Sequence, residues 1–168
     1  MKNFISGAGR IRGTVGDDVI HGGAGRDVIF GDYGSDTIVG GAGSDILYGG
    51  QVSTYIAPHS AWGDGFPPTG NPYPLYYSDN APDIFVFHAG DAGRGAERDH
   101  IRGFEPGVDK IDLSSMGPNT HFIIQDINGK ALIKIDADHN GSYEMHIDIV
   151  AAFGFDYHSI SASDFILA

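Results

Sequence analysis

Apolar residues recur along the first third of the chain at a fixed interval of nine: Ile11, Ile20, Ile29, Ile38 and Leu47. Neither common period fits, because a helix returns to one face about every 3.6 residues and a strand every two. Val19, Val28, Thr37 and Ile46 stand just before the last four of these, and such β-branched residues favour extended backbone. Glycine-rich stretches separate them. The pattern predicts three-residue strands joined by six-residue turns. Beyond residue 80 it changes to short β-branched or aromatic runs, DIFVF, DKIDL, THFIIQDI, ALIKID, EMHIDIV and SDFILA, separated by Gly, Pro and Asn turns. Long amphipathic helices are absent, and a turn near residues 113–117 is the most helix expected. The fold class is all-β.

In register, the units from Gly13 to Tyr48 read GTVGDDVIH, GGAGRDVIF, GDYGSDTIV and GGAGSDILY, after which Gly49 and Gly50 open a fifth that is interrupted. The consensus G-G-x-G-x-D-x-U-x, with U apolar, resembles the calcium-binding nonapeptide of the RTX (repeats-in-toxin) family. That resemblance implies a parallel β-roll in which two units close a coil of about eighteen residues with a strand on each side. The glycines suit the turns, since glycine takes positive φ without penalty. Stacked coils put Asp18 and Asp36 on one edge and Asp27 and Asp45 on the other. Each pair, with carbonyls from loops holding Gly16, Gly23, Gly25, Gly34, Gly41 and Gly43, would form an all-oxygen cage. Such a cage suits Ca²⁺, which takes about six to eight oxygens, better than Mg²⁺ with its small octahedron. Without the ion, paired carboxylates repel and a narrow apolar strip cannot offset the entropy of ordering so much glycine. The segment is therefore expected to be disordered without calcium. A flexible acidic linker is the alternative, and the locked phase of the apolar residue argues against it.

The ends of the repeat are readable in the same frame. Upstream, FISGAGRIR keeps Gly7 and Ile11 but has Gly9 where the aspartate belongs, a cap that gives up one ligand. Downstream, the interrupted unit resumes as NAPDIFVF, with Asp83 expected above Asp36 and Phe85 in the core. From there the order DIFVF, RDHIRGFEPGVDKIDLSSM and SASDFIL is similar to C-terminal domains of serralysin-type metalloproteases and to R-modules of mannuronan C5-epimerases. The resemblance implies a β-roll finished by a short β-sandwich-like cap, with further calcium ligands among Asp99, Asp109 and Asp112. Solvated turn aspartates are an equal alternative there. The stretch Asp136, Asp138, Asn140, Glu144 resembles the start of an EF-hand loop, but Ile147 stands where the bidentate glutamate should be, and a hairpin turn on Asn140 and Gly141 is favoured.

Residues 51–77 depart from those relatives and hold five of the eight prolines and the sole tryptophan. Trp62, Tyr73 and Tyr76 are candidates for a glycan or protein contact; a flap covering an open strand edge is slightly favoured. The basic cluster Arg94, Arg98 and Arg102, with Lys130 and Lys134 expected near, is the candidate surface for an acidic polysaccharide. Residues 1–50 are thus read as the roll, 51–77 as an insertion, and 78–168 as roll completion plus cap.

A net charge of −12 argues against nucleic acid and anionic membranes, and roughly four or five Ca²⁺ would neutralise most of it. Cysteine is absent, so no disulfide framework or thiolate site exists. No H-E-x-x-H, G-x-S-x-G or phosphate-cradling Gly-Lys-Ser/Thr loop occurs, which removes the usual routes to catalysis, and His21, His88 and His146 are read as strand-surface residues. The N-terminus lacks the apolar core of a signal peptide. The terminal SASDFILA resembles the uncleaved type I (ABC transporter) export signal of RTX proteins, or is simply a last strand. These readings converge on a secreted, extracellular, non-enzymatic calcium module from a Gram-negative bacterium that supports the export and folding of a passenger domain. An alginate-binding module is the alternative.

Overall fold

The nine-residue spacing of apolar side chains becomes two ladders, one on each face of a flattened spiral. The computed structural model describes residues 2–50, 52–53, 75–76, 78–127, 130–152 and 155–168. On one face, β1 (Asn3–Ser6), β3 (Asp18–Ala24), β5 (Thr37–Ala42), β9 (Ile84–Val86), β11 (Lys110–Asp112) and β15 (Phe165–Ile166) form a six-stranded parallel sheet in that order. On the other, β2 (Arg10–Arg12), β4 (Val28–Phe30), β6 (Ile46–Tyr48) and β10 (Asp99–Phe104) run parallel and continue into β14 (Met145–Ala151). The antiparallel strands β13 (Ala131–Asp136) and β12 (His121–Asp126) finish that sheet.

Strand pairing puts the repeated apolar residues in rows. Ile20, Ile38, Phe85, Ile111 and Phe165 are register partners on one face. Ile11, Ile29, Leu47, Ile101 and Ile149 are partners on the other. All ten are buried and belong to one core. Burying each such side chain contributes roughly 1.5–3 kcal/mol. Ile20 to Ile38 and Ile29 to Leu47 are each one coil of eighteen residues, as the repeat requires.

Three features go beyond the nine-residue frame. The first coil is shorter: Ile5 pairs with Ile20 and Ile11 with Ile29, so only six residues separate the first two apolar positions. β1 therefore adds a strand the frame did not contain. Strands β3 and β5 run past three residues into their glycines, with Gly23 opposite Gly41 and Ala24 opposite Ala42. The cap, in turn, adds its strands to the two roll sheets: β10 and β14 extend one, β11 and β15 the other.

Among the described residues the only helical pieces are three-residue 3₁₀ turns, including the expected one at Ser114–Met116. No helix is long and apolar enough to cross a membrane. β7 (Val52–Ser53) pairs antiparallel with β8 (Leu75–Tyr76). Trp62, Tyr73 and the side chain of Tyr76 lie outside the described residues. At the C-terminus Asp164 is buried, its carboxylate accepting the Gly107 and Ser161 amides at 2.9 Å each, which ties β15 onto β11. That is the last-strand arrangement.

Candidate metal centre: two ladders of buried aspartates

The parallel register that stacks isoleucines also stacks the aspartates two positions before them. Along one edge the Asp18 amide donates to Asp36 Oδ1 at 2.9 Å, the Asp36 amide to Asp83 Oδ1 at 2.8 Å, and the Asp83 amide to Asp109 Oδ1 at 3.1 Å. Along the other, the Asp27 amide donates to Asp45 Oδ1 and the Asp45 amide to Asp99 Oδ1, both at 2.8 Å. All seven carboxylates are at most 1% exposed. Asp83, Asp99 and Asp109 thus stand in line with the repeat aspartates, although they lie outside the uninterrupted units. Asp112 does not join; its Oδ1 accepts the Ser114 amide in a turn.

One oxygen of each rung is used by the backbone, and the other is what matters chemically. The Oδ2 atoms of Asp27, Asp36, Asp45 and Asp99 are buried with no hydrogen-bond partner. Such groups are rare, because an unsatisfied buried polar atom costs about 1–3 kcal/mol. Their surroundings are oxygens. A methyl group placed on Gly31 would collide with Asp36 Oδ2 and the Gly49 carbonyl, and one on Gly22 with Asp27 Oδ2 and the Gly40 carbonyl. Carboxylate and carbonyl oxygens from successive coils therefore converge beside the first glycine of each unit, and only glycine leaves that space open. A donor set of hard oxygens, without nitrogen or sulfur, fits Ca²⁺.

Electrostatics agree. Burial, reinforced by the neighbouring carboxylates, pushes Asp83 up to about 9, Asp99 to about 8, Asp36 and Asp109 to about 7 and Asp45 to about 6, against the opposing pull of the amide donors. Asp18, at the end of its ladder, has protein donors on both oxygens. The Asn3 side chain donates to its Oδ1 at 2.8 Å and the Thr14 amide to its Oδ2 at 2.6 Å, so protein groups satisfy the end of the ladder.

The six glycines picked out from the repeat meet in pairs: Gly41 lies against the Gly23 carbonyl, Gly43 against the Gly25 carbonyl, and Gly34 against Gly16 and Asp17. The carbonyls that share a space with ladder carboxylate oxygens belong instead to first-position glycines: Gly31 with Asp18 Oδ2, Gly40 with Asp27 Oδ2 and Gly49 with Asp36 Oδ2. Two further acids, Asp79 and Glu105, lie at the far end of the Asp36 edge; counting back from Asp83 and Asp109 would have flagged both.

Outside the ladders, Asp136, Asp138 and Glu144 approach one another within 4.8 Å. Asp136 already accepts the Asn140 and Gly141 amides, which is the work of a hairpin turn. Arg102 and Lys130 converge with His100 on buried Asp148, at 3.3, 3.6 and 3.0 Å. Burial disfavours the Asp148 charge, yet the His100 hydrogen bond and the Arg102 and Lys130 charges hold its carboxyl down at about 2. Arg98 and Lys130 line a small cavity with Leu132 and Asp148. Arg94 faces Glu144 at 3.8 Å.

Comparison with known proteins matches this picture. Two solution structures share the fold: the AlgE6R3 subunit from the Azotobacter vinelandii mannuronan C5-epimerase, with TM-score 0.61, 22% identity and 100% of this chain aligned to 81% of that one, and its AlgE6R2 subunit, with TM-score 0.59, 22% identity and 100% aligned to 93%. No curated protein sequence matches. The family described as Peptidase M10 serralysin C terminal matches residues 4–166. The nonapeptide, the paired ladders and a match over nearly the whole length agree, and the chain belongs to that family as an RTX-type β-roll domain.

Proposed function

We propose that this domain is a non-catalytic calcium-binding module of a secreted protein, ordered by the Ca²⁺ it meets outside a Gram-negative cell and so supporting the export and folding of a passenger. The observation that carries the reading is the row of buried, unpartnered Oδ2 atoms on Asp27, Asp36, Asp45 and Asp99. Asp18, Asp27, Asp36, Asp45, Asp83, Asp99 and Asp109 supply carboxylates, and loop carbonyls complete each site. The ion brings the positive charge these edges lack; the chain's own part is to hold oxygens from successive coils at one point. Extracellular modules bind with Kd of about 10⁻⁴ to 10⁻³ M, which lies between cytosolic and external calcium. A chain of this kind would pass a type I exporter unfolded and fold outside.

Calcium titration by calorimetry, with the bound ions counted, tests the module: roughly four or five ions are expected from the number of stacked carboxylate pairs. No heat and no bound calcium at millimolar concentration would overturn it. The export part is tested by the yield of a passenger fusion in the medium of cells carrying a type I exporter; unchanged yield when residues 161–168 are scrambled would remove it.

A second reading, an acidic-polysaccharide-binding module, is favoured by the outer face of the sheet that runs from β2 to β12. Alternation along the strands puts Arg10, Arg12, His100, Arg102 and Lys134 opposite the buried row of that sheet, with Arg98 immediately before β10, in a chain with only ten lysines and arginines. The Arg10 guanidinium lies 4.8 Å above the Phe30 ring, which stacks on Tyr48. Because the structural neighbours come from a mannuronan C5-epimerase, alginate oligomers are the ligand to titrate in calcium buffer. Binding weakened by Arg98→Ala supports this reading; absent heat, or heat that Arg98→Ala leaves unchanged, removes it.

A further inference from the structure

The two edges of the roll differ at the second position of their loops. Counted back from the sixth-position aspartate, that position is Gly23, Gly41 and Gly95 on the Asp27–Asp45–Asp99 edge, and Thr14, Asp32, Asp79 and Glu105 on the other. Three successive coils therefore carry an additional acid beside a ladder that is already negative. Asp32 is compensated, since Arg12 binds both its oxygens, with Nη2 to Oδ1 at 2.7 Å. Asp79 and Glu105 are not: among the described residues no lysine, arginine or histidine forms an ion pair with either.

What they have instead is each other, the backbone and, for Glu105, the Ser78 side chain, which hydrogen-bonds its carboxylate as the Asp79 and Asn80 amides do. The Asp79 amide donates to Glu105 Oε1 at 3.1 Å. Asp79 Oδ2 accepts the Gly34 amide at 3.2 Å and its Oδ1 the Ala81 amide at 3.1 Å. Glu105 is 1% exposed and its Oε2 is buried with no partner. Burial first, then the Asp79 charge, raises the Glu105 carboxyl, and the Asp79 charge also bears on Asp36, Asp83 and Asp109. Five carboxylates, those of Asp36, Asp79, Asp83, Glu105 and Asp109, thus gather toward one end of this edge, and two of their oxygens, Asp36 Oδ2 and Glu105 Oε2, have no hydrogen-bond partner.

We propose that Glu105 and Asp79 form a divalent-cation site of their own, taking Ca²⁺ beside the sixth-position ladder and fastening residues 78–83 to the roll where the chain rejoins it after the 51–77 segment. The inference rests on the reading of the roll as a calcium module. Glu105 Oε2 supplies the buried anionic ligand, and Asp79, held by Gly34, carries the returning strand. A hard divalent ion suits two carboxylates, and its binding links the junction to the coil that holds Glu105.

Glu105→Gln and Asp79→Asn in the full chain test it by calcium calorimetry and by thermolysin cleavage between residues 75 and 82, both in calcium. Each variant is expected to bind one ion fewer than wild type and to be cut there about fivefold faster, because the junction opens more often. Circular dichroism at saturating calcium checks that the roll is intact; should Glu105→Gln fail that check, the half-buried Asp79 decides. Wild-type stoichiometry and wild-type cleavage in the variants would overturn the site and leave the calcium module standing. A wild-type chain that binds no calcium would overturn both. The pair Asp27→Asn with Asp45→Asn, on the opposite edge, is expected to lose ions without speeding cleavage at the junction; faster cleavage there as well would assign the effect to the roll as a whole and overturn the site.

Discussion

Asp148 and Asp83 are both buried on the same roll, 5% and 1% exposed, and their surroundings push them in opposite directions. Around Asp148 the chain brings its own partners, a hydrogen bond from His100 and the charges of Arg102 and Lys130, and the carboxyl is held at about 2 against its burial. Around Asp83 burial and the carboxylates of Asp109, Asp36 and Asp79 raise it to about 9. The sheet face is electrically complete as translated. The loop edges are not: among the described residues no lysine, arginine or histidine forms an ion pair with a ladder carboxylate. One architecture thus holds a region whose buried charge is paired within the chain and a region whose buried charge is not, and the difference lies in which neighbours the register supplies.

The largest effect should come from breaking the complete region. Asp148→Ala leaves the Arg102 and Lys130 charges and the His100 ring without their shared carboxylate and should lower stability by about 2–3 kcal/mol, discounted for the partial exposure of Lys130, with no change in bound calcium. Urea unfolding in saturating calcium measures it. Asp83→Asn sharpens the contrast, because it removes a charge that the metal-free fold resists. The calcium midpoint should rise about tenfold, or 1.4 kcal/mol, while the metal-free chain is no less ordered than wild type. If both substitutions acted alike, the comparison would fail.

Acid offers a second, smaller probe. The ladder carboxyls bind protons more tightly folded than unfolded, so in metal-free protein their contribution is fully present below about 4 and is lost as pH rises through about 6 to 9. Metal-free protein should therefore hold more β-signal in circular dichroism at pH 5 than at pH 8, and calcium binding at pH 7 should release protons. Asp148 has the opposite sign: its contribution is present above about 3.8 and fades as pH falls toward about 2. Metal-free protein with more structure at pH 8 than at pH 5 would contradict the assignment.

Two glycine substitutions give the finest test. Gly31→Ala puts a methyl against Asp36 Oδ2 and the Gly49 carbonyl, and should weaken calcium binding on that edge about tenfold. At Gly16, where nothing lies within 4 Å of the added carbon, alanine should change little, within about 0.5 kcal/mol. Equal effects would mean the space beside Gly31 is not a metal site.

The roll was legible because its signal is periodic: one apolar residue and one aspartate in fixed phase specify strand, edge and register together. Asp83 could be placed above Asp36 despite the interruption because Phe85 kept that phase. Legibility failed where the phase slipped. The six-residue step from Ile5 to Ile11 hid β1, and Asp99 and Asp109 could not be told from turn aspartates because no whole nonapeptide surrounds them. Arg10 and Arg12 share a face with Arg102 only because the strand order β2, β4, β6, β10 crosses some ninety residues of sequence. The first-position carbonyls were missed for another reason: which oxygens point inward is set by loop dihedrals, and a consensus string does not carry those.

Backbone amide exchange, residue by residue, with and without calcium, bears most directly on the claim that the edges need imported charge. In calcium the amides of Asp18, Asp27, Asp36, Asp45 and Asp83, each bonded to the carboxylate of the next coil, should be protected about a hundredfold or more over the metal-free chain. The amides pairing β13 with β14 should change far less. Equal protection of the ladder amides in both conditions would show that the carboxylate stack is stable without cations, and would contradict the account.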